Sequence, residues 1–178
     1  EAPGNGKAGL IDLAPVLAPA VCEFGADIPG ADAPHYLPAM AADQGVERTL
    51  DATLFVPYTQ DARAHLRPVH FRADIANVNR CVGTLLGHEV TKAHPEGLPD
   101  GAITIDCDGS AGQSFGAFLP AGVTLNVRGD ANDYFGKGLS GGVVSVRPPE
   151  GATFKFDENI IVGNVAFYGA TGGRGFAN

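Results

Sequence analysis

A glycine motif in the last third of the chain matches the pattern that binds dinucleotides. The pattern is G-x-G-x-x-G, and here it reads Gly136-Lys-Gly-Leu-Ser-Gly141. In a dinucleotide-binding domain this motif follows a strand and opens a helix, because the pyrophosphate binds at the N-terminus of that helix. Here it runs into the β-rich segment 142–147 and then into Pro148-Pro149. This context favours turn glycines over a nucleotide site.

A second glycine run suggests phosphate binding. Segment 165–175 reads as a strand leading into Gly169-Ala-Thr-Gly-Gly173, which is similar to the first phosphate loop of an NADP-binding Rossmann domain. Only three residues follow Gly175, so we expect that this chain cannot complete such a fold, which needs a helix and further strands. An NADP-binding fragment through Gly169–Gly175 is therefore kept only as a weaker alternative.

Oxygen ligands with the spacing of a calcium loop occur at Asp130, Asn132 and Asp133. However, Tyr134 and Phe135 stand where an EF-hand loop needs a ligand and a glycine. Asn and Asp are also common turn residues, because their side chains bond to nearby backbone groups. We therefore interpret this run as an Asn/Asp-rich turn.

Histidines, serines and cysteines are scattered. His88 and His94 are six residues apart, which does not match the H-E-x-x-H zinc motif. Ser114 and Ser140 have the G-x-S-x-G spacing of a nucleophile elbow, but we interpret the glycines around them as turn glycines. The three cysteines have no C-x-x-C spacing, which fits a reduced cytoplasmic chain; they are Cys22, Cys81 and Cys107. The sequence thus predicts no catalytic residue, no cofactor-binding residue and no metal ligand in this chain.

The charge balance argues against two classes of partner. Twelve Lys and Arg residues against twenty Asp and Glu residues leave a net charge of −8. Binding to nucleic acid or to an anionic membrane surface needs a basic patch, and no cluster of Lys and Arg occurs in the sequence. The sequence contains no run of 18 consecutive apolar residues, so it predicts no membrane span. We expect a cytoplasmic chain with neither partner.

The first third of the chain differs in composition from the rest. Residues 1–66 form an acidic, Ala/Pro-rich segment, which we interpret as an arm or linker, and 67–178 form the main domain. Prolines exclude long helices from the arm, but a short helix near Leu50–Leu54 is predicted, with Thr49 as its N-cap and Pro57 ending or kinking it. Alternating apolar residues predict a strand at Val69–Ile75, and a helix is predicted over 85–93.

Glycines in the last third recur at a spacing of about 20 residues. The run from Gly109 aligns with the run from Gly129, and Gly169-Ala-Thr-Gly172 follows 40 residues further on. Each turn is preceded by a β-rich stretch; these stretches lie around Ile103–Cys107, Val123–Val127, Val143–Val146 and Val165–Phe167. A mainly β fold with this period predicts a parallel β-helix. A Gly-rich β-sandwich is the alternative.

Five stretches of the chain together resemble the C-terminal GXGXG domain of the glutamate synthase large subunit. They are Asn77–Arg80, Gly112–Gly116, Gly129–Gly142, Arg147–Pro149 and Tyr168–Gly173. The resemblance covers residues 74–178 well and extends loosely to Leu10–Pro15. It implies a right-handed β-helix whose glycines form turns. The turn glycines expected on this basis are Gly109, Gly112, Gly116, Gly129, Gly136, Gly138, Gly141, Gly142, Gly169 and Gly172.

The resemblance also implies a role. Glutamate synthases convert glutamine and 2-oxoglutarate to glutamate, and the family's β-helix domain holds the amidotransferase domain and the FMN-binding synthase domain together without catalysing a step. FMN and an iron–sulfur cluster belong to those other domains. A standalone GXGXG subunit of a split glutamate synthase, or of a formylmethanofuran dehydrogenase-like complex, is the alternative. Since the family domain continues beyond the motif at Tyr168–Gly173, we also expect the domain to be cut short at its C-terminal end.

Overall fold

A short helical segment precedes the sheet in this computed structural model, which describes residues 43–155 and 158–178. A 3-10 turn at Val46–Arg48 and a π-helix at Asp51–Phe55 lead into α1 (Val56–Tyr58) and α2 (Gln60–His65). Thr49, the predicted N-cap, accepts through Oγ1 a hydrogen bond from the backbone N–H of Ala52 at 3.3 Å. Pro57 does not end the segment, because proline is tolerated in the first turn of α1.

Five parallel strands form the sheet, in the order of the chain. They are β1 (Val69–Ile75), β2 (Ile103–Ala111), β3 (Val123–Ala131), β4 (Ser140–Arg147) and β5 (Gly172–Ala177). One helix, α3 (Thr84–Ala93), lies in the connection between β1 and β2. Five of the predicted elements are therefore present. They are the strand at 69–75, the strands around 103–107, 123–127 and 143–146, and the helix near 85–93.

The prediction of a right-handed parallel β-helix with coils of about 20 residues is wrong. The described strands make one all-parallel sheet, and its connections have unequal lengths. Paired residues are separated by 34, 20, 19 and 31 positions from β1 to β5, as in Val69↔Ile103, Ile103↔Val123, Thr124↔Val143 and Val143↔Arg174. The period of 20 reflects the two middle connections only, because α3 lengthens the first and a long loop lengthens the last. The alternative of a β-sandwich also fails, since all four strand pairs are parallel.

The last strand is displaced from its predicted position. Val165 and Phe167 were expected in a strand, but both adopt a left-handed backbone conformation in a turn, with φ of 59° and 58°. The strand is instead formed by Gly172–Ala177, whose first residue, Gly172, is one of the predicted turn glycines. Tertiary pairing with β4 overrides the weak β-propensity of glycine here.

Alternation along the strands separates a buried face from a polar face. Ile103, Ile105 and Cys107 of β2 are fully buried, and the same positions of β3 hold Val123, Leu125 and Val127. Helical residues complete this core; they include Phe55, Leu86 and Val90. Burying one such apolar side chain contributes about 1.5–3 kcal/mol, so this stripe drives the fold. One compact unit runs from Gly45 to Asn178. The boundary near residue 66 between an arm and the main domain stays a prediction.

Candidate functional site

Three turns before β3, β4 and β5 share one unusual backbone conformation. Their segments are Ser114–Phe118, Tyr134–Gly138 and Val165–Gly169, and we call them the alternating turns. The first, third and fifth residues of each segment have φ between 57° and 69°. Five of these nine residues are not glycine, although left-handed φ is unfavourable for residues with a Cβ. The conformation must therefore be held by contacts from outside each turn.

Hydrogen bonds between successive turns supply those contacts. The third residue of each alternating turn donates its backbone N–H to the preceding turn, as Gly116 does to Val82 O at 2.8 Å and Gly136 to Phe115 O at 2.9 Å. The first residue donates to the following turn, as Ser114 does to Asp133 O and Tyr134 to Asn164 O, both at 2.9 Å. These backbone amides are thus already bonded within the protein and are not free to bind a phosphate.

Three glycines of the alternating turns, Gly116, Gly136 and Gly138, are packed against side chains of neighbouring segments. A Cβ added to Gly136 would lie 2.7 Å from the ring of Phe167, and one added to Gly138 would lie 2.5 Å from the ring of Phe118. Phe115, Phe135 and Phe167 form an aromatic column behind the turns, with ring centroids 6.0 and 5.6 Å apart. The motif glycines therefore permit close approach of one turn to the next.

The ten glycines expected in turns are divided between strands and turns. Four lie in the alternating turns: Gly116, Gly136, Gly138 and Gly169. Five lie within strands: Gly109, Gly129, Gly141, Gly142 and Gly172. Gly112 follows β2, and a Cβ there would lie 2.4 Å from the backbone oxygen of Asn79.

Both nucleotide motifs lack the helix that would bind phosphate. Gly136–Gly141 runs from an alternating turn directly into β4, and Gly169–Gly175 runs from the last alternating turn into β5. A dinucleotide site of the Rossmann type also lies where the strand order reverses, whereas this sheet keeps the order of the chain. The preference for turn glycines over a nucleotide site agrees with this geometry.

A polar row on the outer face joins residues that can take part in acid–base chemistry. Ser145 Oγ donates to Asn126 Oδ1 at 2.6 Å, Asn126 Nδ2 donates to Asp106 Oδ1 at 2.9 Å, and Asp106 Oδ2 lies 2.9 Å from His70 Nε2. These four residues, which we call the polar row, come from four adjacent strands. Because strands are about 4.8 Å apart, Ser145 is on the order of 14 Å from His70. A serine nucleophile needs a hydrogen-bonded base, so the polar row is not a catalytic triad.

The pKa of Asp106 is lowered within the polar row. Partial burial of the carboxyl acts to raise its pKa, but hydrogen bonds from Asn126 and His70 and the charges of His70 and Arg128 outweigh this effect. This row was not predicted from the sequence. A sequence pattern nevertheless points to it, since Asp106 and Asn126 are 20 residues apart and alternate with buried positions of their strands.

The candidate ligands identified in the sequence hold the fold instead. Asn132 donates through Nδ2 to Asn77 Oδ1 at 2.8 Å, and Asp133 Oδ1 accepts the backbone N–H of Asn164 at 2.7 Å. His94 Nε2 lies 2.7 Å from the backbone oxygen of Arg63, while His88 is exposed on α3. Within 43–155 and 158–178, no group of three His, Cys, Asp or Glu residues could hold a metal ion.

The described cysteines do not fit an iron–sulfur cluster. Such clusters are held by several Cys thiolates that converge on the iron atoms. Cys81 is exposed in the loop before α3, and Cys107 is buried in β2, both as free thiols; Cys22 lies outside the described residues. Of the helices that the structure describes, none is long and apolar enough to cross a membrane.

A cleft of about 530 Å³ lies beside the carboxyl ends of β2 and β3. Asp108 and Arg128 form an ion pair on its sheet side, and Phe154 and Ile160 form an apolar wall. Asp130 is a further carboxylate in the lining. The cleft therefore provides room for a contacting segment with a mixed charged and apolar surface.

Comparison of the chain with known proteins identifies a family and several relatives. A family profile described as "GXGXG motif" matches residues 52–178. The chain is 47% identical over 134 residues to the glutamate synthase [NADPH] large chain of Bacillus subtilis, and 43% identical over 176 residues to the glutamate synthase [NADH] of Saccharomyces cerevisiae. It is 41% identical over 128 residues to the ferredoxin-dependent glutamate synthase 2 of Synechocystis. These matches cover 75%, 97% and 72% of this chain, but only 9%, 8% and 8% of the relatives.

Proposed function

Because the chain belongs to the GXGXG-motif family, as a domain similar to those of glutamate synthase large chains, we propose that it is a structural segment of a glutamate synthase. In this role it holds the amidotransferase domain and the FMN-binding synthase domain in fixed relative positions. The surrounding enzyme converts glutamine and 2-oxoglutarate to glutamate with a reductant. This segment supplies no group that reacts with substrate.

One observation carries the proposal: the glycines and amides of the family motif make contacts within the protein itself. The amides of Gly136 and Gly138 donate to Phe115 O and Tyr168 O, both at 2.9 Å. A Cβ at Gly129 would lie 1.9 Å from Gly109 O. The amides of Gly136 and Gly138 are therefore occupied within the protein, and no side chain fits at Gly129. A motif placed in this way builds a rigid body rather than a reaction site.

The relatives support a role that does not depend on the electron donor. Their names specify NADPH, NADH and ferredoxin, yet each is 41–47% identical to this chain over the part that matches. A segment that bound the donor would need different recognition chemistry for a nucleotide and for a small protein. We therefore propose that the donor, the FMN and the iron–sulfur cluster are bound by domains outside this chain.

Two assays test the proposal. The isolated chain, mixed with glutamine, 2-oxoglutarate and a reductant, is expected to form no glutamate. In the large chain that contains this segment, Phe135→Ala should leave glutaminase activity and ammonia-dependent glutamate synthesis near their original rates. Glutamine-dependent synthesis should fall severalfold, because the variant removes the middle ring of the aromatic column and loosens the body that positions the two active sites.

Val78→Ala is the matched control, since it also shortens an apolar side chain but at a position that is 83% exposed. It should leave all three rates unchanged. Glutamate formation by the isolated chain would contradict the proposal. An equal loss of all three activities in a folded Phe135→Ala enzyme would contradict it as well, because the segment would then act on each active site directly.

A further inference from the structure

The carboxylate of Asp51 is buried between the helical segment and the first turn of the sheet. It lies in the π-helix at Asp51–Phe55 and is 3% exposed. The backbone N–H of Gly83 donates to both of its oxygens, at 2.8 and 3.0 Å. Leu85 and Leu86 donate their backbone N–H groups to Oδ2, at 2.9 and 3.1 Å. Three amides thus converge on one side chain that comes from 32 to 35 residues earlier in the chain.

The loop around Cys81 and Gly83 is equivalent to the beginning of an alternating turn. Cys81 and Gly83 have φ of 54° and 91°, which repeats the left-handed conformation at the first and third positions. Cys81 donates its N–H forward to Gln113 O at 2.9 Å, as Ser114 does to Asp133 O. Val82 O accepts the N–H of Gly116, as Phe115 O accepts that of Gly136. This loop is therefore the first member of the hydrogen-bonded series of turns.

The hydrogen bond of the Gly83 N–H shows that Asp51 replaces a backbone oxygen. At the same position, Gly116, Gly136 and Phe167 each donate to a backbone oxygen of the preceding turn. Gly83 belongs to the first turn of the series, so its N–H meets the Asp51 carboxylate instead. An N–H buried without an acceptor would lose its hydrogen bond to water without compensation. The carboxylate supplies that compensation at the beginning of the series.

The same carboxylate also serves the N-terminus of α3. The N-cap of α3 is Gly83, which has no side chain to accept the first free amides of the helix. Asp51 Oδ2 accepts those of Leu85 and Leu86, and its negative charge lies at the positive end of the helix dipole. One residue therefore satisfies both the first turn and the helix that follows it.

We propose that Asp51 is the end cap of the turn series: it takes the place of a preceding turn, closes the series at Gly83, and fixes residues 46–65 to the sheet domain. The other end of the same segment is held separately, by Arg63 near Glu89 at 3.7 Å and by His94 against Arg63 O. The proposal concerns this chain's own architecture and does not depend on the function proposed above.

Amide hydrogen exchange followed by NMR tests the end cap. Asp51→Ala should raise the exchange rates of Gly83, Leu85 and Leu86 at least tenfold, while the rates of Gly116 and Gly136 change less than twofold. Asp51→Asn keeps the size of the side chain and one acceptor oxygen. It should raise the rates of Leu85 and Leu86 more than that of Gly83. Asp61→Asn, at an exposed acid in the first turn of α2, is the control and should change none of the five rates.

The proposal is decided by which amides exchange faster in the variants. Unchanged exchange at Gly83 in a folded Asp51→Ala protein would overturn the proposal, because the amide would then have another acceptor. Should Asp51→Ala unfold the protein, Asp51→Asn decides alone. Equal acceleration at Gly83 and Gly136 in that variant would mean a general loss of stability rather than loss of a cap, and would also overturn the proposal.

Discussion

The two described cysteines differ in environment by their places in the fold. Cys107 occupies an inward position of β2 and is fully buried. Burial, and to a lesser extent the nearby carboxylates of Asp106, Asp108 and Asp51, raise the pKa of its thiol to about 12. Cys81 lies on an exposed loop. Since the thiolate is the reactive form, position alone should separate the two residues chemically.

Alkylation measures this difference. In a Cys22→Ser variant at pH 8, we expect iodoacetamide to modify Cys81 while Cys107 remains unmodified until the protein is unfolded. Peptide mass spectrometry identifies the modified residue, and the same reaction in urea is the control that both thiols can react. Modification of Cys107 at a rate similar to Cys81 under native conditions would contradict the buried position of β2's inward face.

Contact between neighbouring strands depends on a column of two glycines. Gly109 and Gly129 are paired in register in β2 and β3, with φ of 125° and 153°. A Cβ on Gly109 would lie 2.1 Å from Ile75 O, and one on Gly129 would lie 1.9 Å from Gly109 O. Both obstacles are backbone atoms, which cannot rotate away. The glycines are therefore required by the spacing of the strands.

Alanine at Gly129 should destabilise the protein strongly. Gly129→Ala forces β2 and β3 apart and adds backbone strain, so we expect a loss of at least about 3 kcal/mol in the free energy of unfolding. Gly169→Ala is the matched control, because Gly169 also has positive φ, 68°, but a Cβ there meets nothing within 4 Å. It should cost about 1–2 kcal/mol, from the left-handed backbone alone. Urea unfolding of both variants measures the difference, and equal losses would argue against the close contact.

The polar row links four of the five strands, β1 to β4, on the outer face of the sheet. Its hydrogen bonds run from His70 through Asp106 and Asn126 to Ser145. Because the pKa of Asp106 is lowered in the fold, the folded protein prefers the ionised carboxyl. Its contribution to stability is therefore present above the pKa of an unfolded Asp, about 3.9, and is lost as the pH falls through the lower folded value.

The pH dependence of unfolding tests this contribution. Between pH 6 and pH 3 the free energy of unfolding of the original chain should fall, and Asp106→Asn should make that decrease smaller below about pH 4. Asp74→Asn, an exposed acid on β1, serves as the control and should leave the decrease unchanged. Urea titrations at several pH values provide the measurement. Identical curves for Asp106→Asn and the original chain would show that Asp106 is not held in its ionised form by the fold.

Much of the local structure could be predicted from the sequence. Alternation of apolar residues located β1, β2 and β3, and the period of 20 between Gly109 and Gly129 matched the register of β2 with β3. The prediction failed where local preference and tertiary pairing disagree. Val165 and Phe167 have high β-propensity, but the bonding pattern of the alternating turns places them in left-handed conformations, and glycine-rich Gly172–Ala177 pairs with β4 instead.

By itself, the sequence determined the family motif and the strands with regular alternation. These follow from residue type and spacing, which act over a few neighbours in the chain. Only the tertiary structure decided that the strands form a single sheet with unequal connections, that Asp51 meets Gly83, and that Ser145 is linked to His70 through two other side chains. Those contacts join residues 19 to 36 positions apart, and they depend on how the chain returns to itself rather than on any local preference.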